Sequence, residues 1–261
     1  MATYIIDFSP TGGTRKVMEM LVCGWNKEDE AANQEIKKID LTSPTEDFSV
    51  YHFEKEDVCF IGMPSYGGRA PQTALNRLKK MKGNGANAVI VAVYGNRDID
   101  DTLLEMKEET ESYGFSVKAA VAAVAEHSIM RQYGAGRPDE EDREELMAFG
   151  EKIRQTIFEK TEETNLQVPG NKPYKEYNGI PLKPKGGKEC IQCGRCVLQC
   201  PVQAIPLSDP RETDGSKCIS CMRCIAICPN KARKLNPVLL FASSKKMEKA
   251  LSGRKKNYIY L

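Results

Sequence analysis

The chain has 261 residues and a formal net charge of +2, a length that allows one or two domains. No apolar run approaches the roughly 18 residues that cross a bilayer, so we expect no integral membrane segment. Charge divides the chain: residues 1–165 carry 20 Lys and Arg against 30 Asp and Glu, whereas residues 166–261 carry 18 against 6. A basic half without a recognition motif is weak evidence for nucleic acid, and we expect no nucleic-acid binding.

Short apolar runs alternate with helical patterns through the first half of the chain. Strands are predicted at residues 2–8, 34–41, 57–62, 88–93 and 115–125. Helices are predicted after residues 14, 71, 102 and 138, whereas residues 42–56 lack a sustained helical period. This alternation predicts an α/β fold, a doubly wound five-stranded parallel sheet with helices on both faces.

The loop after the first predicted strand combines hydroxyls with glycines: Ser9, Thr11, Gly12, Gly13 and Thr14. Backbone N–H groups at the start of the next helix, together with glycine backbone, suit an anion. The loop is neither a dinucleotide fingerprint nor a Walker loop, because it lacks both G-x-G-x-x-G and the Lys-Ser/Thr pair. Ordinary helix capping explains the same residues equally well.

Two more loops open at the same edge, because ligands of such sheets bind at the carboxyl ends of the strands. They contain Pro64, Ser65, Tyr66, Gly67, Gly68 and Tyr94, Gly95, Asn96, Arg97. Surface packing explains either tyrosine taken singly, and for Asn96 and Arg97 we expect the backbone amides to matter most. Arg69 lies nearby without a defined role. We interpret His127 as a hydrogen-bonded loop histidine rather than a proton-transfer group.

The second half carries a cysteine run that is repeated after 28 residues, each copy followed by proline. Three cysteines at i, i+3 and i+6 can face one compact object, and the fourth points away. This geometry suits two cubane clusters that exchange their fourth ligand. We therefore predict one 4Fe-4S cluster on Cys190, Cys193, Cys196 and Cys228, and another on Cys218, Cys221, Cys224 and Cys200.

Zinc binding and disulfide formation are the two alternatives for these cysteines. Paired C-x2-C steps also suit zinc sites, but zinc requires neither a third step nor the proline. Disulfides are disfavoured because the N-terminus does not resemble a secretory signal.

The segments before and after the cysteines are predicted to link or contact the two domains. Residues 162–189 are rich in proline and lack a period, so we predict an extended connector on the first domain, which ends near residue 165. The cysteine module covers about residues 186–235. A helix with Leu251 near its end then follows, predicted to pack between the domains as a C-terminal docking segment, although a membrane-surface helix is conceivable.

The first half resembles the flavodoxins through the three loops described above, and the second half resembles bacterial ferredoxins with two 4Fe-4S clusters. Together they resemble the flavodoxin-ferredoxin fusion proteins of anaerobic bacteria or archaea. The resemblance implies a flavodoxin-like sheet, a smaller ferredoxin-like α+β domain, and FMN bound by the residues of those loops. It departs at Ile99 and Ile129, where an aromatic residue is expected, and at the basic residues 255–257.

This resemblance implies an electron-transfer protein of the cytoplasm that passes electrons between the clusters, FMN and a redox partner protein. The alternative is an FMN-dependent reductase of a small acceptor such as a quinone or a flavin. A third reading is a docking platform without flavin. The sequence leaves the oligomeric state open between monomer and dimer, and it does not identify the donor or the acceptor.

Electron exchange inside one chain predicts where the second domain lies. It must flank the carboxyl edge of the sheet, near Tyr66, Tyr94 or His127, because the flavin of this fold lies there. The opposite net charges of the two halves favour such docking. The duplication leaves open which cluster is nearer to the flavin.

Overall fold

The structure is a computed structural model that describes residues 1–27, 36–159 and 166–261. Strands alternate with helices in the first domain, as predicted. The strands are β1 (Thr3–Asp7), β2 (Ile36–Asp40), β3 (Val58–Pro64), β4 (Asn87–Tyr94) and β5 (Ser116–Val124). The helices are α1 (Gly13–Trp25), α2 (Gln72–Leu78), α3 (Thr102–Ser112) and α4 (Glu140–Glu159). The first two residues of the predicted second strand, 34 and 35, lie outside the described residues.

These five strands form one parallel sheet in the order β2-β1-β3-β4-β5. This order, with its reversal between β1 and β3, is that of the flavodoxin-like doubly wound fold. The predicted fold class is therefore confirmed. Asp7 of β1 pairs with Gly62 of β3, which pairs in turn with Val91 of β4. Strands β3 and β4 continue beyond this level to Pro64 and Tyr94, so the three loops leave the same carboxyl edge of the sheet at different levels.

Helices cover both faces of the sheet, which explains why its strands are apolar on both sides. Trp25 of α1 and Leu146 of α4 are buried on one face, and Leu75 of α2 is buried on the other. Glycine brings α1 and α4 into contact: a Cβ at Gly24 would lie only 1.9 Å from the carbonyl oxygen of Met147. The close contact of these two helices therefore depends on the missing side chain.

The segment between β2 and β3 forms a short 3-10 helix, Phe48–Val50, where a typical flavodoxin would have a full helix. The sequence predicted no sustained helix here, which is confirmed. Phe53 is buried instead, with its ring centroid 4.9 Å from that of Tyr4 and 5.3 Å from that of Phe115. Aromatic packing thus covers this part of the sheet.

A small α+β domain surrounds the cysteine runs. Strands β6 (Lys185–Gly186) and β7 (Arg233–Lys234) pair in antiparallel fashion, and the short helices α5 (Arg195–Leu198) and α6 (Arg223–Ala226) occupy equivalent positions of the two copies. The buried guanidinium of Arg233 donates to the carbonyl oxygens of Pro210 at 2.6 Å and Pro184 at 2.7 Å. The predicted smaller ferredoxin-like domain is confirmed.

The connector lies along the first domain, as predicted. Backbone amides of Asn171 and Lys175 donate to the carboxylate of Asp101 at 2.8 and 2.6 Å. The hydroxyl of Tyr174 donates to Glu108 of α3. Residues 162–165 of the predicted connector lie outside the described residues.

After the second domain the chain returns to the first. Helix α7 (Pro237–Leu251) leads to β8 (Tyr258–Tyr260), which pairs antiparallel with β5 and adds a sixth strand to the sheet. The sequence did not predict this strand. The second domain is consequently tethered at both ends, by the connector and by a strand of the first domain's sheet.

Helix α7 packs between the domains along one face, through Leu240, Met247 and Leu251. Leu251 is buried with Met130 of the first domain and Met222 of the second, as predicted for a docking segment. Near the start of α7, however, Val238 is 73% exposed and Phe241 is 66% exposed. Among the described helices, none has the length and apolar character needed to span a membrane.

Candidate functional site

The eight cysteines of the duplicated runs line two cavities. The first is lined by Cys190, Cys193, Cys196 and Cys228, and the second by Cys200, Cys218, Cys221 and Cys224. Each cavity therefore takes three cysteines from one run and the fourth from the other. This grouping is the one that the spacing predicted for a pair of cubane clusters.

Nowhere in residues 1–27, 36–159 and 166–261 do three His, Cys, Asp or Glu side chains converge closely enough to hold a single metal ion. A tetrahedral zinc ion, with Zn–S bonds of about 2.3 Å, needs its sulfurs within about 4 Å of one another. The observation that bears on the metal is the grouping of three cysteines from one run with the fourth from the other, which is the pattern of paired iron-sulfur clusters.

Backbone amides and burial act on the sulfur atoms. The Ala204 amide donates to Cys200 Sγ, and the Ala232 amide donates to Cys228 Sγ, both at 3.3 Å. Such bonds tune the potential of a cluster. Burial raises the pKa of Cys221 to about 12. This thiol therefore keeps its proton at neutral pH unless a metal displaces it.

The loop after β1 presents the start of α1 to the carboxyl edge. Helix α1 follows Gly12, whose φ is 91° and which has no side chain to cap the helix. The hydroxyl of Ser9 accepts from the Arg15 amide at 2.9 Å, and Thr14 is buried while Thr11 is exposed. Because no acidic residue interrupts the loop, its amides and hydroxyls fit an anion such as a phosphate.

The loop after β3 begins at Pro64 and turns through two glycines. Gly67 and Gly68 have φ values of 64° and 92°, which other residues rarely adopt. The hydroxyl of Ser65 accepts from that of Thr102 at 2.8 Å. This bond fixes the loop to the start of α3.

Tyr66 lies between the sheet and the second cysteine cavity. Its ring packs against the core of the first domain, as does Ile219 of the second cysteine run. Burial, reinforced by the nearby Cys221, raises the pKa of Tyr66 well above its usual range. Tyr66, Ile219 and Tyr177 also line an open cavity of about 200 Å³ at the domain boundary.

The loop after β4 uses two side chains to hold the C-terminal segment. Tyr94 is 6% exposed, and its hydroxyl donates to the carbonyl oxygen of Lys256 at 2.6 Å. The buried Asn96 amide donates to the carbonyl oxygens of Leu251 at 2.5 Å and Gly253 at 2.7 Å. These side chains fix the segment that leads to β8.

Gly95 and Arg97 belong to the same loop. A Cβ at Gly95 would lie 2.9 Å from the Cα of His127. Only glycine therefore fits at position 95 without a shift of the backbone around His127. The Arg97 side chain pairs with Asp100. The Arg97 side chain is therefore engaged within the loop, and the expected role of its backbone amide stays a prediction.

His127 and Arg69 are also engaged in internal contacts. His127 Nδ1 accepts from the amides of Ile129 at 3.1 Å and Met130 at 3.2 Å, and burial lowers the His127 pKa to about 4. A histidine that is neutral and hydrogen-bonded at neutral pH agrees with the prediction of a loop histidine. Arg69 forms a buried ion pair with Glu105, with 2.6 Å between Nη2 and Oε1.

Of the two cysteine cavities, the second faces the carboxyl edge. The Arg223 side chain donates to the carbonyl oxygen of Pro10 at 3.5 Å, and Arg77 of α2 donates to that of Pro201 at 2.6 Å. Both cavities are lined by residues of the second half of the chain, and Cys193 on the first cavity is exposed. The prediction that the second domain flanks the carboxyl edge is confirmed.

Sequence reasoning missed several residues of this region. Lys183 of the connector donates to the Cys218 carbonyl oxygen at 2.5 Å, and Asn257 accepts from the buried Val124 amide at 2.8 Å. Neither residue belongs to a motif. Arg223 carried one signal, because it occupies the same position in the second run as Arg195 does in the first.

The comparisons with known proteins give different matches for the two domains. A family model described as a 4Fe-4S dicluster domain matches residues 189–232. No curated protein matches the sequence.

Solved structures similar to the chain cover its first domain. Oxidised flavodoxin 1 from Bacillus cereus is 16% identical, covers 59% of this chain and 97% of its own, and has a TM-score of 0.40. A flavodoxin from the domain Archaea is 13% identical and covers 60% and 99%, with a TM-score of 0.41. An FMN-dependent NADH-azoreductase from Bacillus anthracis, in complex with FMN, is 11% identical and covers 59% and 100%, with a TM-score of 0.38.

Proposed function

We propose that this chain, which joins a flavodoxin-like domain to a 4Fe-4S dicluster domain, is an electron-transfer protein carrying two 4Fe-4S clusters and FMN. Such clusters exchange single electrons, and FMN exchanges one or two. One observation carries the proposal: the second cysteine run packs beside Tyr66, at the edge where this fold binds ligands.

Thiolates of the two cavities are the proposed cluster ligands. Cys190, Cys193, Cys196 and Cys228 would hold one cluster, and Cys200, Cys218, Cys221 and Cys224 the other. The amides of Ala204 and Ala232 would donate to one sulfur of each set. The equivalent bonds in the two copies support a pair of similar sites.

The three loops of the carboxyl edge are the proposed FMN site. The residues assigned to the phosphate are Ser9, Thr11, Gly12, Gly13 and Thr14. Those assigned to the flavin ring are Pro64, Ser65, Tyr66, Gly67, Gly68, Tyr94, Gly95, Asn96 and Arg97. The start of α1, where Gly12 has no capping side chain and Ser9 supplies a hydroxyl, supports the phosphate assignment, and the shared edge of the three loops supports the ring assignment.

The two cavities have different surroundings, which suggests different roles. The second cavity packs against the first domain, so it is assigned to internal exchange with the flavin. The first cavity carries the exposed Cys193 and the 64% exposed Ile191, so it is assigned to contact with a redox partner protein. The division into an FMN domain, residues 1–165, and a cluster domain with its connector, residues 166–261, follows this assignment.

Cysteine chemistry supports the cytoplasm as the compartment. All ten cysteines are free of disulfides. Reduced thiols are the rule where glutathione and thioredoxin operate, and cluster ligands must be thiolates.

Cofactor content of serine variants tests the cluster assignment. The reconstituted chain should contain about eight iron atoms and one FMN, from two cubanes and one flavin. Cys190→Ser and Cys228→Ser should each lose about half of the iron, and the double variant should lose no more, because both residues serve one cluster. Cys218→Ser combined with Cys228→Ser should lose nearly all of it, because these two serve different clusters.

The opposite pattern would contradict the exchange of ligands. If the Cys190 and Cys228 variants together lost all iron, while Cys218 and Cys228 together lost only half, each run would hold its own cluster. If the reconstituted chain shows no flavin absorption band, the FMN assignment is wrong. The first domain would then serve as a docking platform without flavin.

The cavity beside Tyr66 favours a second candidate, a reductase of a small acceptor. Its volume of about 200 Å³ suits a ring-sized molecule, and its lining by Tyr66, Tyr177 and Ile219 suits an aromatic one. Steady turnover of an added quinone, lost when Tyr177→Ala is introduced, would favour the reductase. Turnover only in the presence of a partner protein would favour electron transfer.

A further inference from the structure

Arg223 crosses from the second domain to the loop after β1. It is the first residue of α6, directly before Cys224 of the second cavity. Its Nη1 donates to the carbonyl oxygen of Pro10 at 3.5 Å, and its Nη2 donates to Gln199 Oε1 at 3.0 Å. Its Nε is buried and has no hydrogen-bond partner among the described residues. A guanidinium with an unused donor thus lies beside the loop assigned to the flavin phosphate.

The other cations next to this loop are directed elsewhere. Arg15, in the first turn of α1, forms a bidentate pair with the buried Asp7 at 2.8 and 2.5 Å. Lys16 donates to the carbonyl oxygen of Pro138 at 3.4 Å. Arg15 is therefore neutralised by its partner, and Lys16 points toward α4. Arg223, in contrast, keeps a buried Nε that has no hydrogen-bond partner among the described residues.

We propose that Arg223 recognises the phosphate of FMN from the second domain, so that the two domains share one phosphate site. This inference rests on the proposed FMN site. A guanidinium suits a phosphate because it offers several N–H donors in a planar fork. A phosphate bound by both domains would also hold the second cysteine cavity against the carboxyl edge. By linkage, docking of the cluster domain would then strengthen FMN binding by the same factor.

The duplication supplies a matched control. Arg195 occupies the position in the first run that Arg223 occupies in the second, and each begins a four-residue helix before a cysteine. Arg195 is exposed, away from the first domain. Removing either guanidinium changes the same chemical group in the same local motif, but only Arg223 lies at the phosphate loop.

Flavin titrations of the full, cluster-loaded chain test the inference. FMN and riboflavin differ only by the phosphate, and binding of each is followed by quenching of flavin fluorescence. Arg223→Gln should weaken FMN binding about tenfold or more, the usual effect of losing a hydrogen bond to a charged group, while riboflavin binding changes less than about twofold. Arg195→Gln should change neither, and Arg223→Lys should retain part of the preference for FMN.

Two results would overturn the inference. One is equal weakening of FMN and riboflavin in Arg223→Gln, since Arg223 would then support the site without recognising the phosphate. The other is an unchanged affinity for FMN. If the wild-type chain binds neither flavin, the proposed function fails before this inference is reached.

A measurement without substitutions covers the case in which Arg223→Gln fails to retain its iron. Hydrogen exchange of the wild-type chain should show that FMN protects the backbone of residues 218–228 more than riboflavin does at equal saturation. Equal protection by the two flavins would contradict a phosphate site shared between the domains.

Discussion

Replacing Asn257 by alanine should release the C-terminal strand from the first domain. Asn257 is 5% exposed, and its Oδ1 accepts from the Val124 amide at 2.8 Å. Its Nδ2 donates to the carboxylates of Asp142 at 3.0 Å and Glu145 at 2.6 Å. Alanine leaves a buried N–H group of β5 without an acceptor and removes a donor from two carboxylates.

The expected loss is about 3 to 5 kcal/mol of the free energy of unfolding. An unsatisfied buried donor costs about 1 to 3 kcal/mol, and a lost hydrogen bond to a charged group costs about 1.5 to 3 kcal/mol. Partial exposure of Glu145 keeps the sum below the upper limits. The loss should appear in the first domain, because Val124, Asp142 and Glu145 all belong to it.

Urea unfolding followed by the fluorescence of Trp25 measures this loss. Trp25 is the only tryptophan of the chain and is buried in the first domain. The midpoint should fall by about 1 to 2.5 M, given slopes of about 2 to 3 kcal/mol per molar urea. Asn178→Ala, at an exposed position, should leave the midpoint unchanged. A loss below about 1 kcal/mol in Asn257→Ala would refute the tethering role of β8.

Two further predictions concern His127 and Gly24. Burial lowers the His127 pKa from 6.5 to about 4, so His127 contributes stability above pH 6.5 that is lost as the pH falls toward 4. His127→Gln should therefore flatten the unfolding free energy against pH in this interval, and an unchanged slope would contradict burial of the neutral ring. Gly24→Ala should destabilise the chain by about 3 kcal/mol, because the added Cβ meets the carbonyl of α4 at 1.9 Å. Gly215→Ala, with nothing within 4 Å of its Cβ, is the control, and equal stability of the two variants would show that α1 and α4 separate freely.

Local patterns in the sequence predicted most of the fold. The strands are continuous apolar runs because both faces of the sheet are covered, and such runs can be recognised without knowledge of the partner strands. The cysteine spacing predicted which cysteines share a cavity, because three of the four in each set lie within one short segment. Both predictions depend on neighbours in sequence.

Features that depend on distant parts of the chain could not be predicted in this way. Strand β8 has three residues, and its structure depends on the free edge of β5 and on the bonds of Asn257. The choice of the second run as the one facing Tyr66 also has no local signal, because the two copies carry the same motif. The connector and strand β8, which attach the second domain to the first at both ends, are themselves non-local features.

The order of the redox centres is the central claim, and flash photolysis of two serine variants tests it most directly. FMN is reduced by a laser flash, and electron arrival at the clusters is followed by absorbance at several protein concentrations. Cys193→Ser, which removes the first cluster, should retain a fast phase whose rate is independent of protein concentration. Cys221→Ser, which removes the second cluster, should abolish that phase. A fast phase that survives in Cys221→Ser and disappears in Cys193→Ser would contradict the placement of the second cluster beside the flavin.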